Sequence, residues 1–204
     1  MSSFLDTMLA RAKADKQTIV LPEGDDPRTL EAAEAILAQG VANLIILGNV
    51  AAIKESGRKL DGATLIDPQD SDLHDEFANT LYELRKHKGM TLEQAAEKVR
   101  DVLFFGVLMV KTGRADGMVS GACHSTGDVL RPSLQILKTA PGVKLVSSFF
   151  IMVVPNCEYG QNGTFLFSDC GLEIQPTAEK LAHIAVNSAQ SWKTLIGTEP
   201  VVAM

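Results

Sequence analysis

Short apolar runs recur along this chain, and amphipathic stretches with helix-capping residues separate them. Thr18–Leu21, Asn43–Leu47, Ala63–Ile66 and Ala115–Val119 are the first four runs. Short, largely apolar segments of this kind suit the buried strands of a parallel sheet. Parallel neighbours need a crossover of a dozen or more residues, usually a helix. The pattern therefore predicts an α/β fold, with a doubly wound and mostly parallel sheet.

The intervening segments carry matching helix signals. Ser3–Ala14 places Phe4, Leu5, Met8, Leu9 and Ala12 on one face. Asp26-Pro27 is a helix start, with an N-cap side chain followed by proline at the first helical position, and Gly40 is the stop. Asn49 caps a short helix ending near Gly57. Ser71–Lys88 reads as one long helix. Its last turn holds Arg85, Lys86, His87 and Lys88, where positive charge suits the helix dipole. Thr91 and Gln94 are spaced for a capping box. Asp101–Lys111 is a largely apolar helix closed by Gly113.

The pattern changes after Thr139-Ala-Pro-Gly142. Val143–Val154 is β-rich, residues 156–163 form a turn, and Thr164–Ser168 returns, so an antiparallel pair is predicted. Thr177–Leu195 reads as a final amphipathic helix. These signals divide the chain into an α/β domain at 1–142 and the first part of a second α/β domain at 143–204. Pro200 and the apolar residues after it read as the opening of another strand. Either the chain continues beyond Met204, or a short strand ends the fold.

Composition excludes several classes. Of 204 residues, 46% are hydrophobic and 22% charged, enough for a packed core. The net charge of −6 argues against a nucleic-acid surface. No apolar run is long enough to span a bilayer, and no secretory signal stands at the N-terminus. Three cysteines without metal-ligand spacing fit a reducing, cytoplasmic compartment. The loop after the first strand, Leu21-Pro-Glu-Gly-Asp-Asp-Pro27, is acidic and lacks G-x-G-x-x-G, so a nicotinamide or flavin site is not expected there. A P-loop, a G-x-S-x-G elbow and paired zinc histidines are also missing from the sequence.

One segment stands out chemically: Ala115 to Pro132, ADGMVSGACHSTGDVLRP. A predicted buried strand gives way to Ser120-Gly121. His124, Ser125 and Thr126 follow, then Asp128 and Arg131 at a helix start. Pro132 either kinks that helix or marks its restart. Ligands of open α/β sheets bind beyond the carboxyl ends of strands, where helix N-termini favour anions. Ser120, Gly121, His124, Ser125, Thr126 and Arg131 are thus candidate anion-binding residues. Cys123, Cys157 and Cys170 read first as inert small residues.

Four stretches carry a resemblance: LPEGDDPRTLEAA from Leu21, the segment Leu81–Gly89, DGMVSGACHSTGDVLRP from Asp116, and PNCEYGQNGTFLFSDCG from Pro155. Together and in order they resemble the phosphate acetyltransferase (phosphotransacetylase) family, whose nearest relatives are phosphate butyryltransferases. The resemblance implies a cleft between two α/β domains of the isocitrate/isopropylmalate dehydrogenase type. It implies interconversion of acetyl phosphate plus coenzyme A with acetyl-CoA plus phosphate, with no metal or resident cofactor, usually in a homodimer. Arg85 and Arg131 match arginines that bind the phosphoryl group. Ser120, Gly121, His124, Ser125 and Thr126 match the polar turn facing the cleft. Cys157 matches a cysteine near the coenzyme A site. The family's catalytic aspartate and a stabilising serine are expected beyond Met204, which leaves a non-catalytic binding module as an alternative, and butyryl transfer as another.

Overall fold

The structure, a computed structural model, describes residues 4–204, which divide into two compact units, the first ending at Lys138 and the second spanning Thr139–Met204. The domain boundary expected from sequence, at 142/143, lies four residues after this division.

The first unit follows the alternation of the sequence. Its elements are α1 (Phe4–Ala14), β1 (Thr18–Leu21), α2 (Pro27–Gln39), β2 (Asn43–Leu47), α3 (Val50–Glu55), β3 (Thr64–Ile66), α4 (His74–Arg85), α5 (Leu92–Val99), α6 (Val102–Lys111), β4 (Gly117–Met118) and α7 (Thr126–Ile136). Ser3, the expected start of the first helix, lies outside the described residues. The sheet is wholly parallel, in the order β3-β2-β1-β4.

Side chains alternate across a strand, and this sheet is covered on both faces. Leu21, Leu44 and Ile46 pack on one side with Leu30 and Ala33 of α2 and Ile53 of α3. Val20, Ile45 and Leu47 pack on the other with α4, α5 and α6. Central strands that are apolar beyond their first residue, Thr18 in β1 and Asn43 in β2, are the consequence. α6 is the centre of the second layer: residues 103–109 are all buried, and Phe105 meets Phe77 of α4 edge-on at 4.8 Å.

Local signals set the helix ends. Asp26 caps α2 through the N–H of Arg28, and Gly40 closes it in a left-handed conformation. Asn49 accepts from Ala52, and Thr91 with Gln94 forms the expected capping box.

Two expectations are corrected in this unit. The predicted helix 71–88 is shorter: the α-helix covers the twelve residues His74–Arg85, and its last expected turn, Lys86–Lys88, is a 3₁₀ turn. The predicted buried strand Ala115–Val119 pairs only at Gly117–Met118, and Val119 is exposed. β4 lies at the sheet edge, where only β1 holds it. The helix expected after the polar turn is present: it begins at Thr126 with Ser125 as its cap and carries Asp128 and Arg131. Pro132 is accommodated inside α7.

The second unit holds β5 (Phe149–Val153), β6 (Thr164–Ser168) and α8 (Ala178–Ile196). β5 and β6 form the expected antiparallel pair. The turn between them has a tight point at Gly163, with φ +82°, where an added Cβ would sit 2.1 Å from the Val154 carbonyl oxygen. Of the predicted β run 143–154, only residues 149–153 form a strand. The hairpin exposes apolar side chains, including Phe150, Met152 and Phe167. Residues 198–204 form no strand, contrary to the reading of Pro200 onward.

Candidate functional site

The strand order places β2 and β3 on one side of β1 and β4 on the other. The order of strand addition reverses between β1 and β4, and the crevice beyond their carboxyl ends is the switch point where open α/β sheets bind ligands. Two loops border it. One is Pro22–Asp26 after β1; the other is Val119–Ser125 after β4.

A carboxylate fills the centre of this crevice. Glu23 is only 4% exposed. Its Oε2 accepts the backbone N–H groups of Gly121 at 2.9 Å and Ala122 at 2.8 Å. Its Oε1 accepts those of Cys123 and His124, both at 3.0 Å, and lies 2.8 Å from His124 Nδ1. Four consecutive N–H groups pointing at one anion form a nest. Burial by itself pushes the Glu23 carboxyl upward, but the hydrogen bonds from Ala122, Cys123, His124 and Gly121 outweigh it and hold the pKa at about 2.

The neighbouring residues lock this arrangement. Gly24 donates to the Leu47 carbonyl at 2.9 Å, and a Cβ at Gly24 would stand 2.5 Å from that oxygen. Arg28, paired with its own cap Asp26 at 2.7 Å, donates to the Ala122 carbonyl. The turn is therefore tied to the β1–α2 loop through its N–H groups and through one of its carbonyls.

The sequence-predicted residues are distributed as follows. Ser120, Gly121, His124, Ser125 and Thr126 share the loop and the first turn of α7. Gly121 presents its N–H to Glu23, and His124 is held by the same carboxylate. Ser125 and Asp128 form a reciprocal capping box, with Ser125 Oγ donating to Asp128 Oδ2 at 2.6 Å. Asp128 is held below its ordinary range first by Ser125, with Arg131 and His124 adding to the effect. Arg131, one helical turn beyond Asp128, is exposed. Arg85 ends α4, half-buried. Arg85 Nε and Ser120 Oγ are buried without a hydrogen-bond partner among the described residues.

Cys123 is exposed, with Sγ 3.5 Å from Glu23 Oε1. Desolvation and then the Glu23 charge push its thiol upward, the opposite of nucleophile activation. Glu23, Cys123 and His124 carry potential ligand atoms within 4.8 Å of one another. The carboxylate already faces four N–H groups, whose positive ends would oppose a cation, so the cluster has the character of an anion nest.

In the second unit Cys157 is half-buried in the hairpin turn, with Sγ 4.0 Å from the Tyr159 carbonyl. Asp169 accepts from Ser148 and from the N–H groups of Gly171 and Leu172. Burial raises its pKa, and these bonds lower it well below the ordinary carboxylate range. A cavity of about 590 Å³ in this unit is lined by Phe165, Phe167, Trp192 and Val201.

Sequence reasoning missed Glu23. It read the residue only as part of an acidic loop that repels pyrophosphate. Its burial and its four partners, about a hundred positions away, leave no local signal.

Comparison with known proteins gives a consistent answer. Residues 3–204 match the family described as "Phosphate acetyl/butaryl transferase". The chain is 55% identical over 204 residues to a phosphate acetyltransferase of Thermoanaerobacterium thermosaccharolyticum, covering 99% of this chain and 62% of that protein. It is 53% identical to one of Acetivibrio thermocellus, covering 99% of this chain and 61% of that protein. The crystal structure of a phosphotransacetylase from Streptococcus pyogenes superposes with a TM-score of 0.88 at 39% identity, covering 96% of this chain and 60% of that one. The chain spans about three-fifths of the length of the curated relatives it matches. With a family match across 202 of its 204 residues, this chain belongs to the phosphate acetyl/butaryl transferase family.

Proposed function

We propose that this chain carries the phosphate-binding part of a phosphate acetyltransferase, which interconverts acetyl phosphate plus coenzyme A with acetyl-CoA plus phosphate. The observation that carries the reading is the polar turn Ser120–Thr126 at the switch point of the sheet, followed by Arg131 on the helix it starts.

In the forward direction the coenzyme A thiol loses its proton, and the sulfur attacks the acetyl carbonyl. A tetrahedral oxyanion forms, then collapses with loss of phosphate. The phosphate dianion needs fixed donors throughout. Arg131 suits this task because its planar fork matches phosphate oxygens two at a time. Arg85, whose buried Nε has no hydrogen-bond partner among the described residues, is the second phosphoryl contact. Ser120 and Thr126 supply hydroxyl donors, and Ser125 shapes the entry of α7. His124 is read as a hydrogen-bond partner within the turn, its Nδ1 held against the buried Glu23 carboxylate. Cys157 of the second unit stands beside the coenzyme A thiol. The base is supplied by an aspartate of the family outside these residues.

The whole enzyme in this reading has two α/β domains of the dehydrogenase-like type, works as a cytoplasmic homodimer and uses coenzyme A as a substrate without a resident cofactor. The family description spans two acyl chains, and the relatives named above are acetyltransferases, which favours acetyl over butyryl.

Arg131→Ala tests the reading. The expected result is a fall of about tenfold or more in kcat/KM for acetyl phosphate, the scale of a lost charge-assisted contact. An unchanged kcat/KM refutes the phosphate role. Rates with acetyl phosphate and butyryl phosphate decide the acyl chain.

A further inference from the structure

We propose that Glu23 is a positioning residue of the phosphate-binding turn: its carboxylate is a built-in anion that fixes residues 121–124 and thereby sets where Ser125, Thr126 and Arg131 stand. The link to phosphate rests on the function proposed above; the link between Glu23 and the turn does not.

Three observations carry this. First, the turn has no ladder of its own. The last N–H in register with the sheet is Val119, which donates to Val20, and the next backbone bond is Asp128 to Ser125. Between them, the N–H groups of Gly121, Ala122, Cys123 and His124 all go to the one Glu23 carboxylate. Removing that charge orphans four donors together. Second, the carboxylate cannot easily withdraw. Buried Pro22 precedes it, and Gly24, pressed against Leu47, follows it. Third, the turn leads directly into α7. His124, the last residue held by Glu23, adjoins the cap Ser125, and Arg131 stands six residues after that cap.

The same geometry excludes the nest itself as the substrate phosphate site. It lies at the switch point of the sheet, but Glu23 already occupies it. Substrate phosphate must then lie on the outer side of the turn, and Glu23 shapes that side without touching the ligand.

Glu23→Gln keeps the side-chain volume and removes the charge, while its amide NH₂ meets two of the four N–H donors head-on. In the full chain, amide exchange at 121–124 is expected to accelerate about tenfold, the scale of one lost charge-assisted bond. In the whole enzyme of the proposed function, assayed well below the melting temperature, kcat/KM for acetyl phosphate is expected to fall by about the same factor. Glu23→Ala opens the nest, and added formate is expected to restore both the exchange protection and kcat/KM. A merely structural residue does not give activity back to a small carboxylate. Unchanged exchange at 121–124 in Glu23→Gln overturns the proposal. So does a loosened turn with full kcat/KM, or a folded Glu23→Ala protein that ignores formate. If the wild-type whole enzyme neither binds nor turns over acetyl phosphate, the proposed function fails; amide exchange at 121–124 and its response to formate then decide Glu23 alone.

Discussion

Glu23→Gln is expected to remove a defined part of the acid sensitivity of this fold. The Glu23 carboxyl sits at about 2 when folded, against an ordinary 4.5. Its folded value is depressed, so its contribution to stability is present above the unfolded value and is lost as pH falls through the folded one. At about 1.4 kcal/mol per pH unit, the difference amounts to about 3 kcal/mol. About 2 kcal/mol of that disappears between about pH 6 and about pH 3. The assay is urea unfolding of wild type and variant, followed by far-UV circular dichroism across this range. Asp26, Asp128 and Asp169 are also depressed, but they titrate in both proteins and largely cancel in the difference. With an m-value of about 2 kcal/mol per molar urea, the gap between the two midpoints should shrink by about 1 M on acidification. A gap that stays constant from neutral to acid pH refutes the reasoning, because it means that folding does not hold this carboxyl in its charged form.

Other substitutions test the packing and the site. Phe105→Ala removes a fully buried ring stacked edge-on with Phe77; a loss of about 3–5 kcal/mol is expected, read as a fall in melting temperature of about 10 °C. Gly24→Ala places a methyl 2.5 Å from the Leu47 carbonyl oxygen and 2.8 Å from Ile46 Cγ2, and should cost about 1–3 kcal/mol by urea unfolding; a neutral effect would show that the loop after β1 is free to shift. Cys123 should react with iodoacetamide more slowly near neutral pH than an unstructured cysteine peptide despite its exposure, because burial and Glu23 oppose the thiolate. Glu23→Gln should speed that reaction, and a wild-type thiol faster than the peptide would contradict the assignment.

Much of the first unit is legible in the sequence because the signals are local. Asp26-Pro27, Asn49, Thr91 with Gln94, and Gly40 set helix ends through contacts within a few residues. The misreadings fall where neighbours decide the outcome. Ala115–Val119 has the apolar content of a buried strand, but an edge position leaves only two of its residues in register. The 71–88 segment has helical composition throughout, yet its α-helix starts only at His74 and its last turn, Lys86–Lys88, tightens to 3₁₀ before the left-handed Gly89.

The site shows the same division. Ser, His, Thr and Arg residues clustered within a dozen positions mark the turn 120–131 by their chemistry alone, and the stretches beginning at Leu21, Leu81, Asp116 and Pro155 point to the family. Glu23 cannot be found that way. A carboxylate in an acidic loop reads as a repellent of anions, and only the adjacency of β1 and β4 turns it into the anion that four backbone donors require. The sequence by itself determined the alternation of elements, their caps and the chemistry available in the turn, since these depend on neighbours along the chain. The tertiary structure alone decided the strand order, the switch point and the filling of its crevice by Glu23, since hydrogen bonds spanning about a hundred residues exist only once the strands are paired.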